Sequence, residues 1–174
     1  QREAIEEEGV KIYENYYIED SLSNGSTMRF FKNRTDVNKV CLMEGKLAEK
    51  TGEIVIDRMY ADNNKLTVGD TMKSKGKIWK ITGLVALSDY SCLFQNNSDT
   101  MFDAVKFGVA IVTADTFSTY PKDKLHYVYS WKYAERPADN TEAKSLSEDF
   151  LEKLSSEAPK YMNAVTFPNI QIRR

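Results

Sequence analysis

His126 is the only histidine of the chain, and the two cysteines, Cys41 and Cys92, lie far apart in sequence. General acid–base catalysis and metal binding both call for partners at set spacing, and His126 has none nearby. It falls on the polar parity of an alternating stretch, so an exposed or rim position is expected. Neither cysteine carries a local nucleophile signature or a CxxC partner, so zinc and redox motifs are unsupported. Both read as small apolar residues, buried or half-buried. A single disulfide between them remains open if the compartment is oxidising. Gly69 and Gly76 frame Asp70–Lys75 with no Gly-Lys-Ser/Thr to follow, so no phosphate cradle is formed. Asp62-Asn63-Asn64 lacks the glycine and the distant glutamate of a calcium loop, and reads better as a helix end. Lys73, Lys75, Lys77 and Lys80 could meet an anionic surface, but lysines commonly protect the exposed edge of a hairpin. The residues therefore supply no catalytic set, no metal site and no cofactor site. The chain reads as a non-enzyme.

The elements that would hold these residues are short. The chain has 174 residues, 41% hydrophobic and 29% charged, the balance of a globular domain or of two small lobes. A net charge of -2 gives no reason to expect a nucleic-acid partner. The longest apolar runs, such as Leu84–Leu87 and Val109–Val112, fall well short of the ~20 residues that cross a bilayer. Gln1 opens directly into the charged run Arg2–Glu8, which reads as the end of a helix and not as a signal peptide. A cytosolic protein, a mature secreted one and an excised piece of a longer one are all allowed, and a start inside a helix favours the last. Val10, Ile12, Tyr16 and Ile18 are read as one strand, and Thr27–Phe31 as a second one across a Ser23–Ser26 turn. Ile54–Ile56 predicts a strand. Asp57 predicts the cap of a helix over Arg58–Asp62, closed by Asn63-Asn64 in the left-handed conformation. Thr71–Lys73 and Ile78–Thr82 flank a Lys75-Gly76 turn, and Val105–Thr113 leads into a brief helix near Ala114–Phe117. Leu125, Tyr127, Tyr129, Trp131 and Tyr133 alternate as one face of a strand, which argues for core rather than a carbohydrate platform. The stripe Leu146, Phe150, Leu151 and Leu154 predicts a helix over 141–155, with Pro159 beyond it as a stop.

One stretch has a recognisable pattern. Gly52-Glu53-Ile54-Val55-Ile56-Asp57-Arg58-Met59-Tyr60-Ala61, followed by Leu66-Thr67-Val68-Gly69-Asp70-Thr71, resembles the extracytoplasmic domain of FtsX-like (MacB-type) ABC-transporter permeases. Thr82–Ser91 and Met101–Gly108 are similar to a Gram-positive subgroup, and the similarity spans roughly Glu6–Tyr133. The residues in it are turn formers and apolar positions, so they identify a fold and not an active site. The resemblance implies an α+β, MacB periplasmic-core-like fold of two lobes. Residues 1–40 and 120–174 would form a membrane-proximal α/β lobe, and residues 41–119 an inserted, strongly curved β-rich lobe. It further implies a cell-membrane location on the extracellular face. Partners would be a cytoplasmic ATPase, reached through membrane helices absent from this chain, and an extracellular protein, peptide or lipid. A different class, a free secreted or surface-anchored protein that binds a peptide or glycan, stands as the alternative. Ser88–Asn97 lacks any sustained period and reads as a loop, and Tyr90, Leu93 and Phe94 are its candidate partner-binding anchors. The bland reading of these three is that they fold back and plug the end of the curved sheet.

Overall fold

A computed structural model of the chain describes residues 9–90 and 105–161, with helix backbone alone after residue 153. The fold is α+β: a mixed sheet with few helices. The chain divides into two compact units. One is Asn15–Val128; the other combines the segment up to Glu14 with the segment from Tyr129 onward.

The larger unit is built on a seven-stranded sheet in the order β2-β3-β8-β5-β7-β4, with β6 also on β7. Its strands are β2 (Tyr17–Ser21), β3 (Thr27–Lys32), β4 (Val40–Gly45), β5 (Glu53–Asp57), β6 (Thr71–Ser74), β7 (Lys77–Leu87) and β8 (Phe107–Val112). The β3–β8 and β5–β7 pairs are parallel and the others antiparallel. Strands β3 and β8 are buried on both faces, which is why their apolar residues run on without alternation. The sheet curves so that the end of β2 meets β6. Ser23 N–H donates to the Lys73 carbonyl at 3.1 Å, Leu22 bridges Ser74, and Lys75 forms an ion pair with Asp20. Helix α1 (Arg58–Asn64) lies against β5, β7 and β8. It comes so close to β8 that a Cβ at Gly108 would lie 2.6 Å from the Tyr60 ring. Helix α2 (Ala114–Ser118) starts from Thr113, whose hydroxyl accepts the Thr116 N–H. The apolar core of this unit includes Phe30, Ile54, Ile56, Trp79, Ile81, Val85 and Ile111.

The smaller unit pairs β1 (Val10–Glu14) with β9 (Tyr129–Tyr133) as an antiparallel ribbon and adds helix α3 (Asn140–Tyr161). Val10 and Phe150 are buried, and the Trp131 and Phe150 rings meet at 5.2 Å.

Several expectations are corrected. The strand read through Val10–Ile18 is two strands: Asn15 and Tyr16 separate β1 from β2, and the Asn15 N–H bonds to the Val128 carbonyl at 2.7 Å. The hairpin β2–β3, assigned above to the terminal lobe, belongs to the large sheet, because β3 pairs in parallel with β8. Residues 120–128 also fall in that unit. Alternation across 125–133 does not mark core: Tyr127 and Tyr129 are exposed, and the ribbon's two strands leave much of their surface uncovered. Lys65, rather than an asparagine, takes the left-handed position that ends α1. Helix α3 runs through Pro159 to Tyr161. Cys41 is exposed and free, while Cys92 lies outside the described residues.

Candidate functional site

The feature with most chemical character is a buried arginine. Strands β2 and β3 are joined by a tight turn, Leu22–Ser26, in which the Leu22 N–H reaches the Ser26 carbonyl at 2.8 Å and Gly25 has φ +83°. The register this turn sets places Glu19 opposite Arg29 and Tyr17 opposite Phe31. Arg29 is 2% exposed. Its Nε donates to Glu19 Oε1 at 3.0 Å, Nη2 donates to the same oxygen at 2.5 Å, and Nη1 donates to the Tyr90 hydroxyl at 2.8 Å. The guanidinium lies 4.1 Å from the Tyr17 ring centre and 5.1 Å from that of Phe107. A delocalised cation is well suited to such a box of aromatic faces. Burial works against its charge, but Tyr90 and Glu19 more than offset this and hold its pKa above the ordinary value.

The chain that follows β7 is fastened here. Ser88–Tyr90 forms a 3-10 turn. Arg34 grips Asp89 with two bonds, Nη1 to Oδ2 at 2.6 Å and Nη2 to Oδ1 at 3.1 Å, and Nη1 also reaches Asn15 Oδ1 at 3.1 Å. Tyr90 is 4% exposed, with its ring near Phe31 and Phe107. Of the three anchors expected from the sequence, Tyr90 is thus buried, held by Arg29 on an ordered turn. Leu93 and Phe94 lie outside the described residues. What sequence reasoning missed was the Glu19–Arg29 pair. Its signal was available: a charge inside the apolar run Thr27–Phe31, facing an opposite charge across a hairpin whose turn fixes the register.

His126 forms an antiparallel bridge with Tyr17, and the two rings stack at 4.7 Å with only 4° between their planes. Among the described residues, no carboxylate or hydroxyl is hydrogen-bonded to its imidazole. No group of three or more His, Cys, Asp or Glu side chains that could hold a metal occurs among the described residues. The lysine cluster separates into two kinds. Lys75 is tied to Asp20, and Lys77 covers the Tyr120 ring at 4.8 Å, while Lys73 and Lys80 are exposed on the hairpin. In the smaller unit a shallow cleft of about 530 Å³ is bordered by Tyr133, Arg136, Glu142, Leu146 and Asp149, a mixture with no convergent set of polar groups. In the larger unit a groove of about 310 Å³ lies beside β4, walled by Met43, Met59, Val85 and Leu87.

No protein-family model matches the chain, and no curated protein matches it. Among solved structures it is similar to the periplasmic region of MacB from Actinobacillus actinomycetemcomitans, at 13% identity over 90% of this chain and 77% of that one, with a TM-score of 0.42. It is also similar to the extracellular domain of the noncanonic ABC-type transporter YknZ from Gram-positive bacteria, at 12% identity over 90% and 83%, with a TM-score of 0.44. A domain assigned to a permease protein from Porphyromonas gingivalis matches at 15% identity over 98% and 84%, with a TM-score of 0.41. The neighbours are thus a periplasmic region, an extracellular domain of an ABC-type transporter and a permease domain. The likeness is modest and says nothing about the side chains of any site. Among the described residues, no helix is long and apolar enough to cross a membrane.

Proposed function

We propose that the chain is a non-catalytic extracellular domain of an ABC-transporter permease, which couples ATP-driven motion of membrane helices to an extracellular substrate or partner. The observation that carries this reading is the structural use made of the stretch that resembles FtsX-like permeases. Gly52–Thr71 folds as one unit, strand β5, helix α1 and a turn into β6. Its cap and turn residues each meet a backbone requirement within it. Asp57 Oδ1 accepts the N–H groups of Met59 and Tyr60 at 2.8 and 3.2 Å and so caps α1. Gly69 has φ +103°, a value open to glycine and strained for other residues. Asp70 Oδ2 accepts the Thr67 N–H at 2.8 Å, and the turn is fastened to β7 by Gly69 N–H to the Ile81 carbonyl at 2.8 Å. A pattern whose cap and turn residues serve one corner of the fold is the mark of a shared scaffold. The scaffold presents no nucleophile–base pair among the described residues. A domain of this kind acts through contact and motion rather than chemistry.

Two readouts test the proposal. Cys41 is exposed and free, so it reports which side of the membrane the domain faces. In intact cells a membrane-impermeant maleimide is expected to modify it. Modification only after lysis would overturn the extracellular placement. In proteoliposomes holding the whole permease with its ATPase, replacing residues 9–134 by a short flexible linker is expected to leave the complex assembled and to uncouple ATP hydrolysis from transport. A gene product with no membrane helices beside this chain would instead favour the free binding protein.

A further inference from the structure

The hairpin β6–β7 carries a face that the core does not use. Its turn residues, Lys75 and Gly76, have φ of +42° and +83°, as a two-residue hairpin connection requires. The register pairs Thr71 with Lys80, Met72 with Trp79 and Lys73 with Ile78. Side chains alternate, so Met72 and Trp79 are buried, while Thr71, Lys73, Ile78 and Lys80 share the exposed outer face. Ile78 is flanked there by the two lysines and is 62% exposed, more than any other large apolar residue among those described. Edge protection does not account for this face. It fits Lys73, on the outer strand β6, but Lys80 lies on β7, which is paired there with both β6 and β5. An isoleucine protects no edge. Residues 71–80 contain four lysines and no Asp or Glu. Lys75 is paired with Asp20, and Lys77 covers the Trp79 and Tyr120 rings. Among the described residues, Lys73 and Lys80 form no ion pair. The carboxylates at hand are occupied by other groups. Glu53, opposite Lys80 on β5, accepts the N–H groups of Glu49 and Lys50 at 2.9 and 3.1 Å. Asp70 accepts the N–H and the hydroxyl of Thr67 at 2.8 and 3.1 Å. The outer face is therefore basic, with one apolar side chain between its two free charges.

We propose that this face is a contact site for an anionic phospholipid surface, in which Lys73 and Lys80 meet lipid phosphates and Ile78 enters the headgroup layer between them. Lysine carries its charge at the end of an apolar stem, so both ammonium groups can stay at the level of the phosphates while Ile78 sits deeper. Such binding adds the burial of an apolar side chain to electrostatic attraction toward anionic lipid. A soluble polyanion would engage the lysines and leave the isoleucine in water, so the lipid surface is the occupant that uses the whole face. Two lysines and one isoleucine make a weak, reversible contact, one that orients a domain rather than anchoring it. The contact is peripheral and needs no membrane helix, so it does not rest on the transporter reading.

The test sediments the 174-residue chain with phospholipid vesicles at low ionic strength. Vesicles of equal parts phosphatidylglycerol and phosphatidylcholine are expected to bind it about tenfold more tightly than phosphatidylcholine alone. Added salt is expected to release it, because exposed charges are screened. Lys73→Glu combined with Lys80→Glu is expected to weaken binding about tenfold at unchanged Tm. Lys132→Glu combined with Lys144→Glu makes the same change in net charge on the smaller unit and is expected to leave binding intact. Ile78→Ser is expected to weaken vesicle binding about fivefold, since it removes the inserted side chain and no charge. No binding, equal binding to the two kinds of vesicle, or undiminished binding by the chain with both Lys73→Glu and Lys80→Glu would each overturn the proposal. So would undiminished binding by Ile78→Ser, and displacement from the vesicles by soluble polyphosphate would then give the face to a soluble polyanion.

Discussion

At Arg29 the fold places a full positive charge where almost no water reaches, and two neighbours share the work of keeping it there. The side chain of Glu19 is 24% exposed, so it can be solvated alone, whereas Arg29 cannot. That asymmetry makes the two substitutions unequal. Glu19→Gln leaves a buried guanidinium with a weaker acceptor and the Tyr90 hydroxyl. The expected loss is about 2 kcal/mol, below the ~3–5 kcal/mol of a fully buried pair because Glu19 is partly solvated. Adding Arg29→Met to Glu19→Gln removes the stranded charge and is expected to recover part of that loss. Urea unfolding of the single and double variants measures both. A double variant less stable than Glu19→Gln alone would mean that the aromatic box, rather than the carboxylate, is what holds the charge. The pair was legible in principle from hairpin register. Its burial was not, because Thr27–Lys32 reads as a half-solvated strand until the parallel partner β8 and Tyr90 are known to cover it.

Among the elements, the local signals that came true are those that act within a few residues. Gly25 and Gly76 take positive φ in their hairpin turns, and Asp57 caps α1, because each effect is settled by neighbours in sequence. Strand β4 gave no such signal. Val40–Gly45 does not alternate, since one face meets no core and a bulge breaks the period at Met43. Likewise the aromatic alternation of 125–133 suggested core, yet Tyr127 lies before β9, and the two-stranded ribbon has too little sheet to bury Tyr129. The Asp57 cap supports a prediction about pH. Burial raises its carboxyl pKa above the usual aspartate value, although the Tyr60 and Met59 N–H groups act in the opposite sense. A folded-state pKa above the unfolded one means that the protonated form is favoured by folding. That contribution is present below the unfolded pKa and is lost as pH rises through the folded one. Asp57→Asn keeps an acceptor for the cap without the charge. It is expected to match or exceed the native Tm at pH 7 and to reduce the native chain's relative gain below pH 5. Asp57→Ala has no acceptor and is expected to cost about 1 kcal/mol. Thermal unfolding from pH 4 to pH 8 compares the three. An Asp57→Asn variant as unstable as Asp57→Ala at pH 7 would show that the charge itself stabilises the helix.

Over the whole molecule, the two units are unequal in what they bury. The Asn15–Val128 unit has a seven-stranded sheet that curves until the end of β2 bridges β6 through Leu22 and Ser74, and its apolar side chains form one continuous cluster from Tyr17 to Val112. The described part of the other unit is a two-stranded ribbon and one helix, with Val10 and Phe150 as its buried apolar residues. Two strands alone are marginal in water, and three or more, or a packed helix, are needed for independent stability. The sequence could not show this imbalance, because the hairpin residues 17–32 lie near the chain start and join the sheet only through pairing with β8, far along the chain. The ends of the larger unit lie side by side, with the Asn15 N–H bonded to the Val128 carbonyl at 2.7 Å. A chain of residues 15–128 therefore needs no linker and leaves its own sheet intact. It is expected to fold alone, with a dispersed amide spectrum and a Tm within a few degrees of that of the 174-residue chain. In the full chain, amides of Val10–Glu14 and Tyr129–Tyr133 are expected to exchange with solvent well before those of β5, β7 and β8, since regions with few buried apolar contacts open first. A 15–128 chain that is unfolded, or uniform protection across both units, would show that the terminal ribbon and helix contribute to the stability of the large sheet rather than being carried by it.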